Sequence, residues 1–444
     1  MTRVEYNVAR EAALLGAELV RFDENLQAFV VANLPANFGR SPNEIEFLLK
    51  ETPTVRAPFF KRRAIGKARA LGKSLAAAAS DAEMDALRRE LAWLLAYNYE
   101  FLASAERFEL AAHAHALDPQ VLCHKFNYWI TVERGKRAAS HGTGRSRPIG
   151  FQPGDKLLSL GAVWKQDYIA CLETLASRGA SVVALIYDMI PITHPGFLPA
   201  EELKRFTAYL DRTLQSDMIL TTISRSSQEE IAKYAREILG LARDIAMTPL
   251  ASSVSAQGAQ VSAKIIDAGL QDLPFVFMAG SFEPRKNQKF LLDIWRAVVS
   301  QLPNRPALVF AGGLAKAAYL QELQREAGGL DRVFFFYNID DEELAWFYHN
   351  CLFTVFPSEA EGWGLPISEA LDHGKYCLAS DNTSLLEAGE GLVFHASLQN
   401  RQAWVDELHT LLSDPLALEE RTKRIRDNHR SRSWADVTRA MMAL

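Results

Sequence analysis

The chain has 444 residues, a formal net charge of -5 at pH 7, and 48% hydrophobic against 23% charged residues. One hydrophobic core seldom supports this length, so two domains of roughly 200 residues each are expected. The composition is that of an ordinary globular protein and excludes disordered and fibrous classes. The small negative charge gives no global positive field, which disfavours nucleic acid as a partner.

The cysteines are dispersed, with no CxxC pair and no histidine cluster at zinc spacing. Reduced thiols in a cytoplasmic protein are the preferred interpretation, and no metal site is expected. The sequence shows no signal peptide and no run of 18 apolar residues, so any membrane contact is expected to be peripheral. The four cysteines are Cys123, Cys171, Cys351 and Cys377.

The first 150 residues have an irregular pattern. A helix is predicted over Val4–Leu15, ending at Gly16, followed by strands over Glu18–Phe22 and Leu26–Val31. A helical insertion is predicted from about residue 43 to residue 116. A loop rich in glycine and arginine is predicted over Arg134–Pro148.

The insertion contains a basic segment, Thr52–Ser80, with seven lysines or arginines and no acidic residue. One interpretation is a solvated basic helix. The other is a surface for anionic lipid or a lipid-diphosphate acceptor, which would hold the protein at the inner face of the plasma membrane. The sequence leaves both interpretations open.

From about residue 150, short apolar runs alternate with amphipathic stretches, which predicts parallel sheets covered by helices. A weakly patterned stretch, Met247–Asp272, separates two sets of βα units. We therefore predict domains over about residues 1–245 and 246–429, and a final helix within 430–444 that returns to the first domain. The predicted strands are Lys156–Leu160, Val182–Tyr187, Met218–Thr222, Phe275–Ala279, Ala307–Ala311, Val333–Phe336, Leu352–Phe356 and Tyr376–Ala379.

The most informative segment is Cys351–Ser380, in which an apolar strand leads through a glycine-rich loop into a helix. Pro366 suits the first turn of that helix and Gly374 its end. The free N–H groups at the helix start favour a phosphate nearby. Glu361 in the loop and Glu369 in the helix would repel phosphate, so hydroxyl groups, such as those of a nucleotide sugar, are their expected partners.

A second segment, Phe275–Leu292, again predicts strand, glycine turn and helix. Arg285 and Lys286 fall just before the helix, where two cations and the N-terminal amides can meet a diphosphate. The spacing matches neither GxxxxGK[ST] nor GxGxxG, which counts against a kinase and a dehydrogenase.

Glu361 and Glu369, eight positions apart within PSEAEGWGLPISEAL, resemble the E-x7-E signature of the retaining family-4 glycosyltransferases with the GT-B fold. The segment Gly280–Asn287, GSFEPRKN, is similar to that family's donor-phosphate segment. Weaker similarities occur at Asp340–Leu344 and around Tyr187–Pro191. The resemblance implies an α/β protein with two facing Rossmann-like domains and a cleft between them.

By this resemblance, Glu361 meets hydroxyls of the transferred sugar, Glu369 meets the ribose, and Lys286 and Arg285 hold the diphosphate. Asp188 follows a strand end, where ligands sit in open α/β sheets, and completes the expected catalytic set. No Asp-x-Asp follows a strand end, so no obligatory metal or other cofactor is expected. The expected donor-binding residues are Gly280, Ser281, Asn287, Tyr337, Asn338, Gly362, Trp363, Gly364, Leu365 and Glu369.

The resulting hypothesis is a retaining glycosyltransferase that moves mannose from GDP-mannose to a saccharide or lipid-linked acceptor in bacterial surface polysaccharide synthesis. A GT-B nucleotide-sugar epimerase, a phosphorylase and a non-catalytic glycan- or nucleotide-binding protein are the alternatives. Ser281 stands where many members have arginine, and Tyr187 where the usual residue is histidine. Residues 2–6 resemble the helix that follows a first strand and glycine-rich loop in the family, so we expect the sequence to start beyond both. Trp363 either stacks on a ligand or packs under its loop.

Overall fold

The computed structural model describes residues 3–15, 17–18, 20–23, 28–31, 150–161, 164–252, 261–302, 305–337 and 339–444. The helical insertion, the basic segment and the loop predicted over Arg134–Pro148 lie outside the described residues and stay predictions. Two parallel sheets with helices around them account for most of the described chain, and both belong to one compact unit.

The N-terminal sheet has four parallel strands in the order β3-β4-β5-β6. The sequence predicted the first three, although β4 ends two residues earlier than expected. The last strand was missed because its three residues are too few to show a pattern. The strands are β3 (Lys156–Ser159), β4 (Ser181–Leu185), β5 (Ile219–Thr222) and β6 (Ile245–Met247).

The C-terminal sheet has six parallel strands in the order β12-β11-β10-β7-β8-β9. This is the strand order of a Rossmann sheet. Successive strands are added on one side of β7 up to β9 and on the other side from β10 onward, and ligands bind in such sheets where the order changes, between β7 and β10. The short last strand was not predicted. The strands are β7 (Phe275–Ala279), β8 (Ala307–Gly312), β9 (Val333–Tyr337), β10 (Thr354–Phe356), β11 (Cys377–Ser380) and β12 (Phe394–Ala396).

The central strands read as continuous apolar runs because helices cover both faces of the sheet. All five residues of β7 are buried, and the rings of Phe277 and Phe347 stack at 5.3 Å between centroids. The helices are α1 (Arg3–Leu14), α2 (Gln166–Ser177), α3 (Ile190–Thr193), α4 (Ala200–Gln215), α5 (Arg225–Leu239), α6 (Ala263–Asp267), α7 (Gln288–Val299), α8 (Ala317–Glu326), α9 (Asp341–Asn350), α10 (Leu365–Asp372), α11 (Leu385–Ala388), α12 (Arg401–Ser413), α13 (Pro415–Asn428) and α14 (Trp434–Ala443).

The final helix, α14, packs against the first helix, α1. The Lys156 ammonium donates to the carbonyl of Met442 at 2.8 Å, which joins α14 to the N-terminal sheet. At its other end, the Trp434 indole N–H donates to the carbonyl of Ser252 at 2.8 Å. A short hairpin of β1 (Val20–Asp23) and β2 (Ala28–Val31) follows α1.

His429 ends α13 and joins two acidic side chains from separate parts of the C-terminal half. Its Nε2 lies 2.7 Å from Asp372 and its Nδ1 lies 3.0 Å from Glu390. The hydrogen bonds to Asp372 and Glu390 raise the pKa of His429 to about 9. The imidazolium is therefore the form that the fold stabilises at neutral pH.

We expect His429→Gln to lower the free energy of unfolding by about 1–3 kcal/mol at pH 6, since two charge-assisted hydrogen bonds are lost. Because folding raises the pKa of His429, its contribution to the free energy of unfolding is complete below the pKa of the unfolded state, about 6.5. That stabilisation disappears as the pH rises through about 9. Urea unfolding at pH 6 and pH 9.5 measures both. The exposed His349 supplies the control, His349→Gln; a deficit in His429→Gln that is equal at both pH values would contradict the assignment.

Candidate active site at the crossing of β7 and β10

The site forms where the loops after β7 and β10 meet, at the point where the order of the C-terminal sheet reverses. After β7 the chain turns at Gly280, with φ of 153°, and its N–H bonds the carbonyl of Ala311 at 3.0 Å. A Cβ added to Gly312 would lie 2.1 Å from the Gly280 carbonyl oxygen, so glycine at 312 permits this close approach. The turn leads into a short 3₁₀ helix, Pro284–Lys286, just before α7.

Arg285 and Lys286 meet Glu361 from the β10 loop. Lys286 Nζ lies 2.5 Å and Arg285 Nη1 lies 2.9 Å from the same carboxylate oxygen, Oε1. Ser358 Oγ donates to that oxygen at 2.6 Å, and Arg285 also pairs with Glu283 at 3.0 Å. The side chains of Lys286 and Glu361 are only 10% and 11% exposed, so solvent screens this cluster weakly. We call Glu283, Arg285, Lys286 and Glu361 the ion cluster.

The backbone of the two loops is joined around the ion cluster. The Glu359 N–H donates to the carbonyl of Arg285 at 2.8 Å, and Ser358 Oγ reaches the same carbonyl at 3.2 Å. Ser384 Oγ donates to the carbonyl of Glu361 at 2.8 Å. The Lys286 ammonium also lies 5.2 Å from the ring centre of Phe356, the last residue of β10. These contacts fix the positions of the charged groups.

Glu361 is ionised throughout the physiological range. Burial alone would raise the pKa of Glu361, but the charges of Lys286 and Arg285, with hydrogen bonds from Lys286 and Ser358, lower it to about 2. Burial lowers the pKa of Arg285, whereas Glu361 and Glu283 raise it, and the net shift is upward. The ion cluster thus places two basic and two acidic side chains where the loops after β7 and β10 meet.

Asp188, which follows β4 of the N-terminal sheet, lies near the ion cluster. Its Oδ1 accepts the Ile190 N–H at 3.0 Å. Burial raises the pKa of Asp188, while that hydrogen bond and the positive charge of Arg285 lower it in part. A Cβ added to Gly362 would lie 2.9 Å from Asp188 Oδ2 and 3.3 Å from Ile223 Cδ1. Glycine at 362 therefore lets the β10 loop approach the end of β4.

Glu369 lies in α10, which begins after Gly364, and is 2% exposed. The hydroxyl of Tyr348 donates to Glu369 Oε2 at 2.7 Å. Gly364 has φ of 107°, and a Cβ there would lie 2.7 Å from a methyl group of Leu385. Both the backbone angle and the packing require glycine at this helix start.

A second link between the two sheets is made by Glu387 of α11. One carboxylate oxygen accepts the Arg225 N–H and the other accepts the Ser226 N–H, each at 2.8 Å. These N–H groups start α5, where helix amides have no partner in their own helix. Nothing in the sequence pattern distinguished this glutamate, because its partners lie 161 and 162 residues away.

The structure brings together the four predicted catalytic residues, Glu361, Lys286, Arg285 and Asp188. Of the donor-binding set, Asn287 has a left-handed backbone, with φ of 61°, and Leu365 begins α10. Ser281 Oγ donates to Glu283 at 2.8 Å, so it supports a cluster residue. Tyr337 ends β9, and Asn338 lies outside the described residues.

Trp363 packs under its loop. It is 7% exposed, and its indole N–H donates to Ser368 Oγ at 3.1 Å. Three contributors to the site were missed in the sequence: Ser358, Glu283 and Gly312. A glycine after a strand and a serine before a predicted site are weak signals, and only the three-dimensional contacts single these residues out.

Within the part of the chain that the structure describes, no group of three or more His, Cys, Asp or Glu side chains is arranged to hold a metal ion. None of the described helices is long and apolar enough to cross a membrane.

Comparison with solved structures identifies the fold. The chain is similar to Anabaena Alr3699/HepE in complex with UDP-glucose, with a TM-score of 0.51, 15% identity, and coverage of 65% of this chain and 78% of that one. It is also similar to an α,α-trehalose-phosphate synthase from Burkholderia xenovorans, with a TM-score of 0.52, 10% identity, and coverage of 76% and 80%. The predicted two-domain, Rossmann-like GT-B fold is confirmed.

The sequence comparisons find similarity to glycosyltransferases. The family model for glycosyl transferases group 1 matches residues 265–432, which hold the ion cluster. The serotype-specific mannosyltransferase WbdA of Escherichia coli is 29% identical over 226 residues, 46% of this chain and 26% of that protein. The O-antigen chain mannosyltransferase B of Escherichia coli is 26% identical over 217 residues, 48% of this chain and 56% of that protein. The chain thus matches only part of the length of these relatives.

We expect Gly312→Ala to destabilise the protein by about 1–3 kcal/mol, because the added methyl group would displace the Gly280 turn that leads to Arg285 and Lys286. Gly313→Ala is a matched control, since its Cβ would meet only Ser281 Cβ, at 4.0 Å, and should change stability by less than about 0.5 kcal/mol. Thermal unfolding of both variants provides the measurement. Equal stability of the two would show that the turn at 280 adapts to the methyl group.

Proposed function

We propose that this protein is a retaining, metal-independent glycosyltransferase that moves a sugar, with GDP-mannose as the favoured donor, to a saccharide or lipid-linked acceptor. The ion cluster is the single observation that carries this proposal. It places two cations at the switch point of a Rossmann sheet, in a segment that matches glycosyl transferases group 1.

The proposed chemistry uses charge that develops as the donor bond breaks. Negative charge grows on the departing nucleotide diphosphate, and Lys286 and Arg285 are fixed where they can stabilise it. Because both cations contact Glu361 through Oε1, the diphosphate would share them with that carboxylate. No reorganisation of the loops is then needed to hold the cations in place.

The two glutamates have different proposed partners. Glu361 lies among the cations, so its Oε2 is assigned to a hydroxyl of the transferred sugar. Glu369 lies on α10 beside Tyr348 and is assigned to the ribose. The buried, ionised state of Glu361 suits a hydrogen-bond acceptor for hydroxyl groups.

The relatives support the proposed donor and setting. Both Escherichia coli relatives are named as mannosyltransferases, and one is named for the O-antigen chain, which supports mannose transfer in surface polysaccharide synthesis. We place the protein in the cytoplasm, and the basic segment Thr52–Ser80 is the proposed region of contact with an anionic inner membrane. Retention of anomeric configuration is part of the proposal through the E-x7-E resemblance.

We expect Lys286→Ala to lower the affinity for both GDP and GDP-mannose by roughly 10- to 150-fold, since a charge-assisted contact to the diphosphate that both ligands contain is lost. Glu369→Ala should weaken both ligands as well. Glu361→Ala should keep GDP affinity within about threefold and lower turnover, because the free nucleotide lacks the sugar. Calorimetry with GDP and initial rates with GDP-mannose supply the two readouts.

Lys289→Ala is the matched control, because this half-exposed lysine of α7 pairs with Glu322 and Glu326 away from the ion cluster. It should retain nucleotide affinity and rate. Loss of GDP binding in Glu361→Ala with retention in Glu369→Ala would reverse the assignment of the two carboxylates. Full activity in all three site variants would contradict the proposal that these residues form the active site.

Activity should survive EDTA, because Arg285, Lys286 and backbone dipoles provide the charge that a divalent ion provides in metal-dependent transferases. Initial rates before and after chelation, with Mg²⁺ or Mn²⁺ added back, test this expectation. Complete loss on chelation that either ion restores would contradict metal independence.

A further inference from the structure

The segment that ends β11 and leads into α11, Ser380–Ser384, lies against the loop that carries Glu361. Ser380 Oγ donates to the carbonyl of Ser358 at 2.5 Å, and the Asn382 side-chain amide donates to the same carbonyl at 3.2 Å. Ser358 and Ser380 are fully buried. Side chains of this segment are therefore bonded to the main chain of the β10 loop where that loop begins.

Thr383 and Ser384, the last two residues of the segment, hold both main-chain polar groups of Glu361. The Glu361 N–H donates to Thr383 Oγ1 at 3.3 Å, and Ser384 Oγ donates to the Glu361 carbonyl at 2.8 Å. The N–H and the carbonyl lie on either side of Cα, so holding both limits the two main-chain rotations that aim the side chain. The direction of the Glu361 carboxylate is thus set from a neighbouring loop.

Both residues depart from what their local positions favour. Thr383 has φ of 49°, and this left-handed backbone is costly for a β-branched residue. Ser384 is the N-cap of α11, where a serine hydroxyl usually accepts an N–H of its own helix, but its hydroxyl makes no such bond with α11. Its bond goes to Glu361 instead. Conformations that are unfavourable locally persist where the surrounding structure requires them, and they are concentrated at functional sites.

We propose that Thr383 and Ser384 are positioning residues, which act on the reaction by aiming the carboxylate of Glu361. This proposal rests on the proposed function and adds two residues to it. The ion pairs with Lys286 and Arg285 hold the carboxylate near the cations, whereas the two hydroxyls fix the main chain from which it extends. Without a hydroxyl the ion pairs can still form, but Glu361 is displaced from the transferred sugar. A small displacement of a group that orients the substrate lowers the rate.

Three substitutions at position 383 separate the hydroxyl from the backbone strain. Thr383→Ser keeps the hydroxyl, Thr383→Ala removes it and keeps the strained backbone, and Thr383→Gly removes both. We expect initial rates with GDP-mannose to follow the hydroxyl, within about twofold of the wild type in Thr383→Ser and about 3- to 12-fold lower in the other two. The melting temperature should follow the backbone and be roughly 1–4 °C higher in Thr383→Gly than in Thr383→Ala.

Ser384→Ala removes the second hydroxyl and should lower the rate by a similar factor. GDP affinity, measured by calorimetry, should stay within about threefold in every variant, because the free nucleotide lacks the sugar that Glu361 is assigned to. Arg332→Gly is the matched control. Arg332 is exposed and left-handed, with φ of 62°, and it precedes β9 at the end of the strand away from the site. This variant relieves the same kind of strain and should keep the rate of the wild type.

Amide hydrogen exchange of the peptide that contains Glu361, followed by mass spectrometry, gives a readout without any substrate. The Glu361 N–H loses its acceptor in Thr383→Ala and Thr383→Gly. We expect it to exchange about 3- to 12-fold faster there than in the wild type and in Thr383→Ser.

Three results would overturn the proposal: Thr383→Ala keeps the rate of the wild type, Thr383→Gly recovers its rate together with its melting temperature, or GDP affinity falls as much as the rate. The second result would mean that the rate reflects stability alone. A wild type that does not bind GDP would contradict the proposed function. Exchange at Glu361 would then decide the positioning by itself, and an exchange rate in Thr383→Ala equal to that of the wild type would overturn it.

Discussion

A single carboxylate oxygen, Glu361 Oε1, contacts the charged groups of Lys286 and Arg285 and accepts a hydrogen bond from Ser358, in a place from which solvent is largely excluded. Removing any one partner from such a cluster leaves a buried charge without compensation, which is far more costly than the loss of an exposed ion pair. The loops after β7 and β10 are therefore held in one arrangement. Glu361 thus joins the loop that leads to α7 with the loop that leads to α10.

The same cluster defines how the site can treat a ligand. Its two cations are matched by Glu361 and Glu283, so the region is balanced before any ligand arrives. A diphosphate would then gain from fixed donors and not from a large unpaired positive field. On the other side, Arg285 and Asp188 line a cavity of about 300 Å³ at the end of β4.

Much of the fold could be predicted because the buried strands are long apolar runs, such as Phe275–Ala279. The strands Ile245–Met247 and Phe394–Ala396 were missed because so short a run shows no period, whereas the equally short Thr354–Phe356 stands in the longer predicted run Leu352–Phe356. Glu361, Lys286 and Arg285 were predicted because local spacing relates each to a strand end and a helix start. Gly312 and Ser358 could not be predicted from the sequence, since their roles come from contacts between segments that are distant in the sequence.

Glu387 connects the two sheets by accepting hydrogen bonds from the N-terminal amides of a helix, a role that usually belongs to a residue next to that helix in the sequence. A carboxylate that satisfies the first amides of α5 acts as its cap, but it belongs to α11 on the C-terminal side. The segment just before it, at Ser384, also bonds the carbonyl of Glu361. Separation of the sheets would leave the Arg225 and Ser226 amides without Glu387, although Ser224 would still cap α5, and it would also remove a support of the Glu361 loop. The loop that holds Glu361 and the start of α5 thus share one support, the segment from Ser384 to Glu387.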